Sequence, residues 1–207
     1  MKRRRATAPP PWALMSYLMR YPDDGLAQAP GAVATLPPGP VREALERFLD
    51  GLPDELTLRG AYVDTFDLRR RVTPHLTFYE HGDTRRRGAA LLRLKRLYRE
   101  AGLEFEADEL PDHLAVMLAF AALAPDGYGQ ALLAEHLPAL ELLRSGLNET
   151  GSPYAHVVDA VCVALPPMRA DQRDHAEQLA AQGPPDEQVG LEPYVPTDVM
   201  PPLGARP

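Results

Sequence analysis

Apolar residues recur at helical spacing along most of the chain. The run WALMSYLM (Trp12 to Met19) follows three prolines and is ended by Tyr21-Pro22, which predicts one short helix. Val41, Leu45, Phe48, Leu49 and Leu52 form a second stripe, stopped by Gly51 and Pro53. Leu58, Tyr62 and Phe66 repeat every four residues on a third helix, where Asp67 can pair with Arg71 and Pro74 interrupts. Asp83 or Thr84 is placed to cap a helix whose face is Leu91, Leu94 and Tyr98, closed by Gly102. Leu114, Met117, Leu118, Ala121 and Ala122 follow Pro111, which suits the first turn of a helix. PDGYG (Pro125 to Gly129) reads as a turn, and Pro138 should kink or split the element carrying Leu133, Leu137, Leu140 and Leu143. Ser152-Pro153 reads as a cap and first position for a helix facing inward with Tyr154, Val157, Val158, Val161 and Leu165.

At Pro166 the pattern stops. Residues 166–207 hold nine prolines, few large apolar residues and no sustained period. The expectation is an all-α, single-domain helical bundle over 12–165 and a Pro-rich acidic tail over 166–207, mostly disordered. Short apolar islands such as Leu191 to Val195 are placed to dock back or to meet a partner. No alternating pattern long enough for a sheet is present.

Composition changes this picture little. The 207 residues are 45 % hydrophobic and 25 % charged, ordinary for a soluble globular chain, while 23 prolines are many. A single cysteine, Cys162, excludes an internal disulfide and a Cys-based metal site, and its apolar setting reads as a small buried hydrophobe. The basic, apolar N-terminus lacks the length and cleavage site of a signal peptide, and no stretch approaches a membrane span. A cytoplasmic location is expected. Charge changes more. The formal net charge is -7, yet residues 61–100 carry +5 and residues 101–207 carry -13. Arginine triplets at Arg69 to Arg71 and Arg85 to Arg87 flank a centre that suits either an anionic partner or the acidic half of the same chain.

Candidate chemistry is sparse. There is no phosphate loop, dinucleotide fingerprint, nucleophile elbow or paired metal-binding histidines. The densest polar group is Glu109-Leu110-Pro111-Asp112-His113, at the mouth of a helix. Three readings apply: helix-start chemistry, a binding role, and a metal site. The last is weakest, because neighbours on a helix point about 100° apart.

ELPDH resembles the E-x-P-D-H motif of the TorD/DmsD/NarJ group of cytoplasmic chaperones for molybdenum enzymes. YVDTFDLRRR, LTFYEHGDTRRRGAALLRLKRLYREAGL and DELPDHLAVMLAFAAL are similar, in the same order, to the NarJ branch. The likeness is continuous from Tyr62 to Leu123 and looser from Trp12 and to Leu165. It implies a TorD-like helical bundle with no catalysis, no cofactor and no metal of its own. Such a chaperone binds the N-terminal segment of the apo catalytic subunit of respiratory nitrate reductase until the molybdenum cofactor is inserted. Molybdenum cofactor biosynthesis proteins are further implied partners; nucleic acid and direct membrane insertion are not. The matching positions are Tyr62, Phe66, Asp67, Tyr79, Gly82, Asp83, Glu109, Pro111, Asp112 and His113. Among them the peptide-binding set is Tyr62, Phe66, Asp67, Tyr79, Glu109, Pro111, Asp112 and His113. Val72-Thr73-Pro74-His75 departs from the family's small or apolar residues and is expected to shift the interhelical corner.

The residues suit that role on physical grounds. An amphipathic peptide helix is held in an apolar groove with polar groups at its rim. Tyr62, Phe66, Phe78 and Tyr79 supply large amphipathic surfaces, for which core packing is the competing reading. A maturation chaperone for another molybdoenzyme of the superfamily is the alternative. A nucleic-acid-binding regulator would use the arginine triplets, against an acidic total and interleaved Asp64, Asp67, Glu80 and Asp83. A small enzyme using Glu109, Asp112 and His113 lacks a nucleophile.

Overall fold

The computed structural model describes residues 10–66, 72–105, 108–125 and 127–185. Among these, eleven α-helices and one 3-10 turn alternate with short connections, and the β pairing is an isolated bridge between His75 and His113. The all-α expectation holds.

The helices are α1 (Trp12–Leu18), α2 (Ala29–Ala34), α3 (Pro40–Asp50), α4 (Glu55–Phe66), α5 (Leu76–His81), α6 (Arg85–Glu100), α7 (Leu114–Leu123), α8 (Tyr128–Glu135), α9 (Leu137–Glu149), α10 (Tyr154–Ala164) and α11 (Ala170–Gln182). Apolar character decides their depth. α7 reads LAVMLAFAAL, apolar nearly all round, and packs between α1 and α8. α10 packs against α3 and α9, with Val157, Val158, Ala160 and Val161 fully buried. The amphipathic α6 buries only Leu94 and Tyr98 and leaves its charged side to solvent. Phe66, Tyr62, Tyr154 and Phe48 form a continuous aromatic cluster, with ring centroids 4.8 to 5.6 Å apart.

Several boundaries differ from the sequence reading. α7 begins at Leu114, three residues after Pro111, because the preceding turn is held by tertiary hydrogen bonds. α10 begins at Tyr154 with Pro153 as its N-cap, and the Ser152 hydroxyl makes no cap bond. Thr84 occupies the N-cap of α6, but its hydroxyl donates back to the His81 carbonyl at 2.8 Å. Pro138 does split its element, at His136, and takes its place in the first turn of α9. The 3-10 turn over Asp24–Gln28 and helices α2 and α5 are short elements that periodicity does not reveal.

The start of the expected tail is helical. α11 lies inside 166–207 and packs on α9, and its Gln172 donates to the Ala134 carbonyl in the last turn of α8 at 2.8 Å. Its sequence, ADQRDHAEQLAAQ, has strong intrinsic helix formers but no apolar stripe, so a pattern search passes over it. Residues 186–207, Asp67 and the first arginine triplet lie outside the described residues.

Candidate functional site

The ELPDH segment is pinned from two directions. Its backbone pairs with residues 74–76: the Leu76 N–H donates to the Asp112 carbonyl at 3.0 Å, and the Leu114 N–H to the Pro74 carbonyl at 2.8 Å. From the other side the Tyr98 hydroxyl donates to the Pro111 carbonyl at 2.6 Å. Burial drives the Tyr98 phenol upward, and the nearby Asp112 charge adds to the rise, so it stays a donor.

Asp112 is fully enclosed. Thr77 donates to its Oδ2 at 2.5 Å, His75 Nδ1 lies 3.2 Å from Oδ1, and an Arg87 nitrogen lies 3.4 Å from Oδ2. Burial alone would raise this carboxyl, but the bonds from His75 and Thr77 and the charges of His75 and Arg87 hold it below the usual range. Arg87 also reaches Asp83 at 3.2 Å and lies over the Phe78 ring at 5.7 Å. The network ties α5, α6 and the start of α7 into one corner.

His113 faces the other way. It is the N-cap of α7, with Nδ1 accepting from the Ala115 N–H at 3.1 Å, which leaves Nε2 to carry the proton of the neutral ring. Burial pushes its pKa down to about 4; the neighbouring His75 and Arg20 act in the same direction and Asp112 opposes them. The ring lines a groove of ≈ 550 Å³ that runs beside α7. Tyr62, Tyr98, Ala115 and Phe120 are its buried lining, while Leu103, Phe105, Val116 and Ala119 are partly exposed walls. Its rim carries Tyr21, Arg20, Glu104, Asp108, Glu109 and the 70 % exposed Leu123. A more open cavity of ≈ 610 Å³ lies near Tyr17, Asp23 and Ala32, away from the motif.

The structure divides the expected site. Tyr62, Glu109 and His113 meet at the groove. Phe66 is enclosed in the aromatic cluster, and Tyr79 is buried with its hydroxyl donating to the Thr73 carbonyl at 3.1 Å. Pro111 is buried and serves through its carbonyl. Asp112, expected to bond a peptide, presents no surface to one, because its oxygens are turned into the corner. Asp67 lies outside the described residues. Arg20, Tyr21, Tyr98, Phe105, Phe120 and Leu123 line the groove but escaped the sequence reading, since each fits a helix end or core stripe equally well. Among the described residues no cluster of three or more potential ligands is placed to hold a metal ion. None of the described helices is long and apolar enough to cross a membrane.

Residues 37–159 match the family described as the nitrate reductase delta subunit. The chain is 39 % identical over 154 residues to the nitrate reductase-like protein NarX of Mycobacterium tuberculosis, covering 73 % of this chain and 24 % of that protein. It thus spans about a quarter of that relative's length. Relatives of similar length match as well. The probable nitrate reductase molybdenum cofactor assembly chaperone NarJ of Bacillus subtilis is 30 % identical over 160 residues, 74 % of this chain and 87 % of that one. The nitrate reductase molybdenum cofactor assembly chaperone NarJ of Escherichia coli is 33 % identical over 189 residues, 86 % and 79 % of the two chains.

Proposed function

The chain belongs to the nitrate reductase delta subunit family, and from that premise we propose that it is a nitrate reductase assembly chaperone that works by peptide capture. Its client is the N-terminal segment of the apo catalytic (alpha) subunit of respiratory nitrate reductase. Holding that segment keeps the subunit competent for molybdenum cofactor insertion and assembly, and molybdenum cofactor biosynthesis proteins meet the same complex.

The observation that carries this reading is the groove beside α7, apolar within and polar at its rim, with Leu123 and Tyr21 exposed. Exposed apolar side chains bordering a groove gain most when a second apolar surface covers them. An amphipathic helix would set its apolar stripe on Tyr98, Phe120 and Val116 and leave its polar side to Glu104, Asp108 and Glu109. Capture of this kind breaks and makes no covalent bond.

Titration calorimetry with a peptide of roughly 15 residues, about four helical turns, from the start of the catalytic subunit tests the reading. Saturable binding with a negative heat-capacity change is expected. Absence of binding at several temperatures, with the chaperone folded, would overturn it.

A further inference from the structure

Helix α6 carries seven basic residues and one acid between Arg85 and Glu100. Arg87 is taken inward by Asp83 and Asp112, and Leu94 and Tyr98 face the core. The opposite side exposes Arg86, Arg96, Arg99 and the 59 % exposed Leu92, and Leu92 and Arg96 border a shallow cavity of ≈ 330 Å³. The arginines at its first turn also sit at the positive end of the helix dipole, where anions and not cations are favoured.

The chain comes back to this helix. After α11 ends, Gly183 takes φ 71° and Pro185 lays its backbone on Gly82. Gly82, itself at φ 55°, admits this approach because any Cβ there would collide with the Pro185 carbonyl. Gly82 stands three residues before α6. Residues 186–207 therefore leave the described fold beside the first turn of α6. They begin Asp186-Glu187, continue through the apolar island Leu191 to Val195, and carry four acids against Arg206 alone. α6 is about 24 Å long, and eight extended residues span about 26 Å. An extended segment running from Pro185 along α6 would bring Asp186 and Glu187 to Arg86, and Leu191 and Glu192 within reach of Leu92 and Arg96.

We propose that residues 186–195 dock along the exposed basic face of α6 as an intramolecular cover. Tethering gives the segment a local concentration on the order of millimolar, enough to hold a weak, salt-screened contact. This inference stands apart from the peptide-capture reading and uses a different face of the molecule.

Hydrogen exchange on the full chain tests it. At low ionic strength the amides of 187–195 should exchange about tenfold more slowly than in the free peptide of the same sequence, and lose that protection near about 0.5 M salt. R86E/R96E should abolish the protection, and adding D186K/E187K to that variant should restore it. D186K/E187K alone leaves the helical domain untouched and should lose protection as well. Exchange at the free-peptide rate in the unaltered chain, or protection unchanged in D186K/E187K, overturns the proposal.

Discussion

Asp112 and His113 are joined by one peptide bond, yet they serve two different parts of the molecule. Asp112 looks into the corner of α5, α6 and α7, where it is fully buried among Thr77, His75 and Arg87. His113 looks into the groove beside α7, with Glu109 at the rim and Phe120 and Tyr98 beneath. The corner is polar and closed; the groove is apolar and open. A compact polar motif is therefore not one site. It is a pivot whose inward residue fixes the geometry of the outward one, and damage to the two sides should be separable.

The largest separation is expected from Asp112→Ala. Removing the buried carboxylate leaves Thr77 and His75 without their acceptor and Arg87 with Asp83 alone, and costs about 3 kcal/mol. Urea unfolding measures it, and an unchanged midpoint would erase the distinction between corner and groove. Next comes pH. His113 is neutral in the fold with a pKa of about 4, while the unfolded chain protonates near its ordinary value of 6.5. Stability should be complete above pH 6.5 and fall as pH drops toward 4, by on the order of 3 kcal/mol. Asp112, whose pKa is already depressed, adds to the loss only below the ordinary carboxyl range. Denaturation across this window checks the slope, and His113→Asn, which keeps a capping acceptor, should flatten it.

Groove changes should be smaller and should spare the fold. Leu123→Ala is expected to weaken peptide binding about tenfold while moving stability by no more than about 0.5 kcal/mol. Smallest is Glu109→Gln, with an expected two- to threefold loss, roughly, that vanishes at high salt. Calorimetry at two ionic strengths distinguishes it from Leu123→Ala, whose effect should persist.

Much of the bundle was legible because its core helices bury one stripe each. Val41 to Leu52 and Tyr154 to Leu165 announce α3 and α10 by spacing alone. α11 was not legible, since what it buries is Gln172, which bonds the Ala134 carbonyl of α8, and Ala176, and not an apolar stripe. At the site, spacing located the motif but not its orientation. Which way Asp112 turns depends on Thr77 and His75, more than 30 residues away in sequence, and on the backbone bridge that delays the start of α7. Likewise Arg20 and Tyr21 join the groove only because α1 packs on α7.

The aromatic cluster has a consequence in time. Tyr62 lines the groove and rests edge-on against Tyr154, with ring centroids 5.6 Å apart, and Tyr154 also supports Phe66 at 5.2 Å. The two halves of this contact are separated by more than 90 residues of chain. During synthesis at about 5–20 residues per second, α4 and α7 emerge several seconds before α10 can buttress them. The nascent chain therefore has the outline of its groove without the backing that sets its shape. On the peptide-capture proposal, binding in the groove should begin only after α10 has left the ribosome and packed.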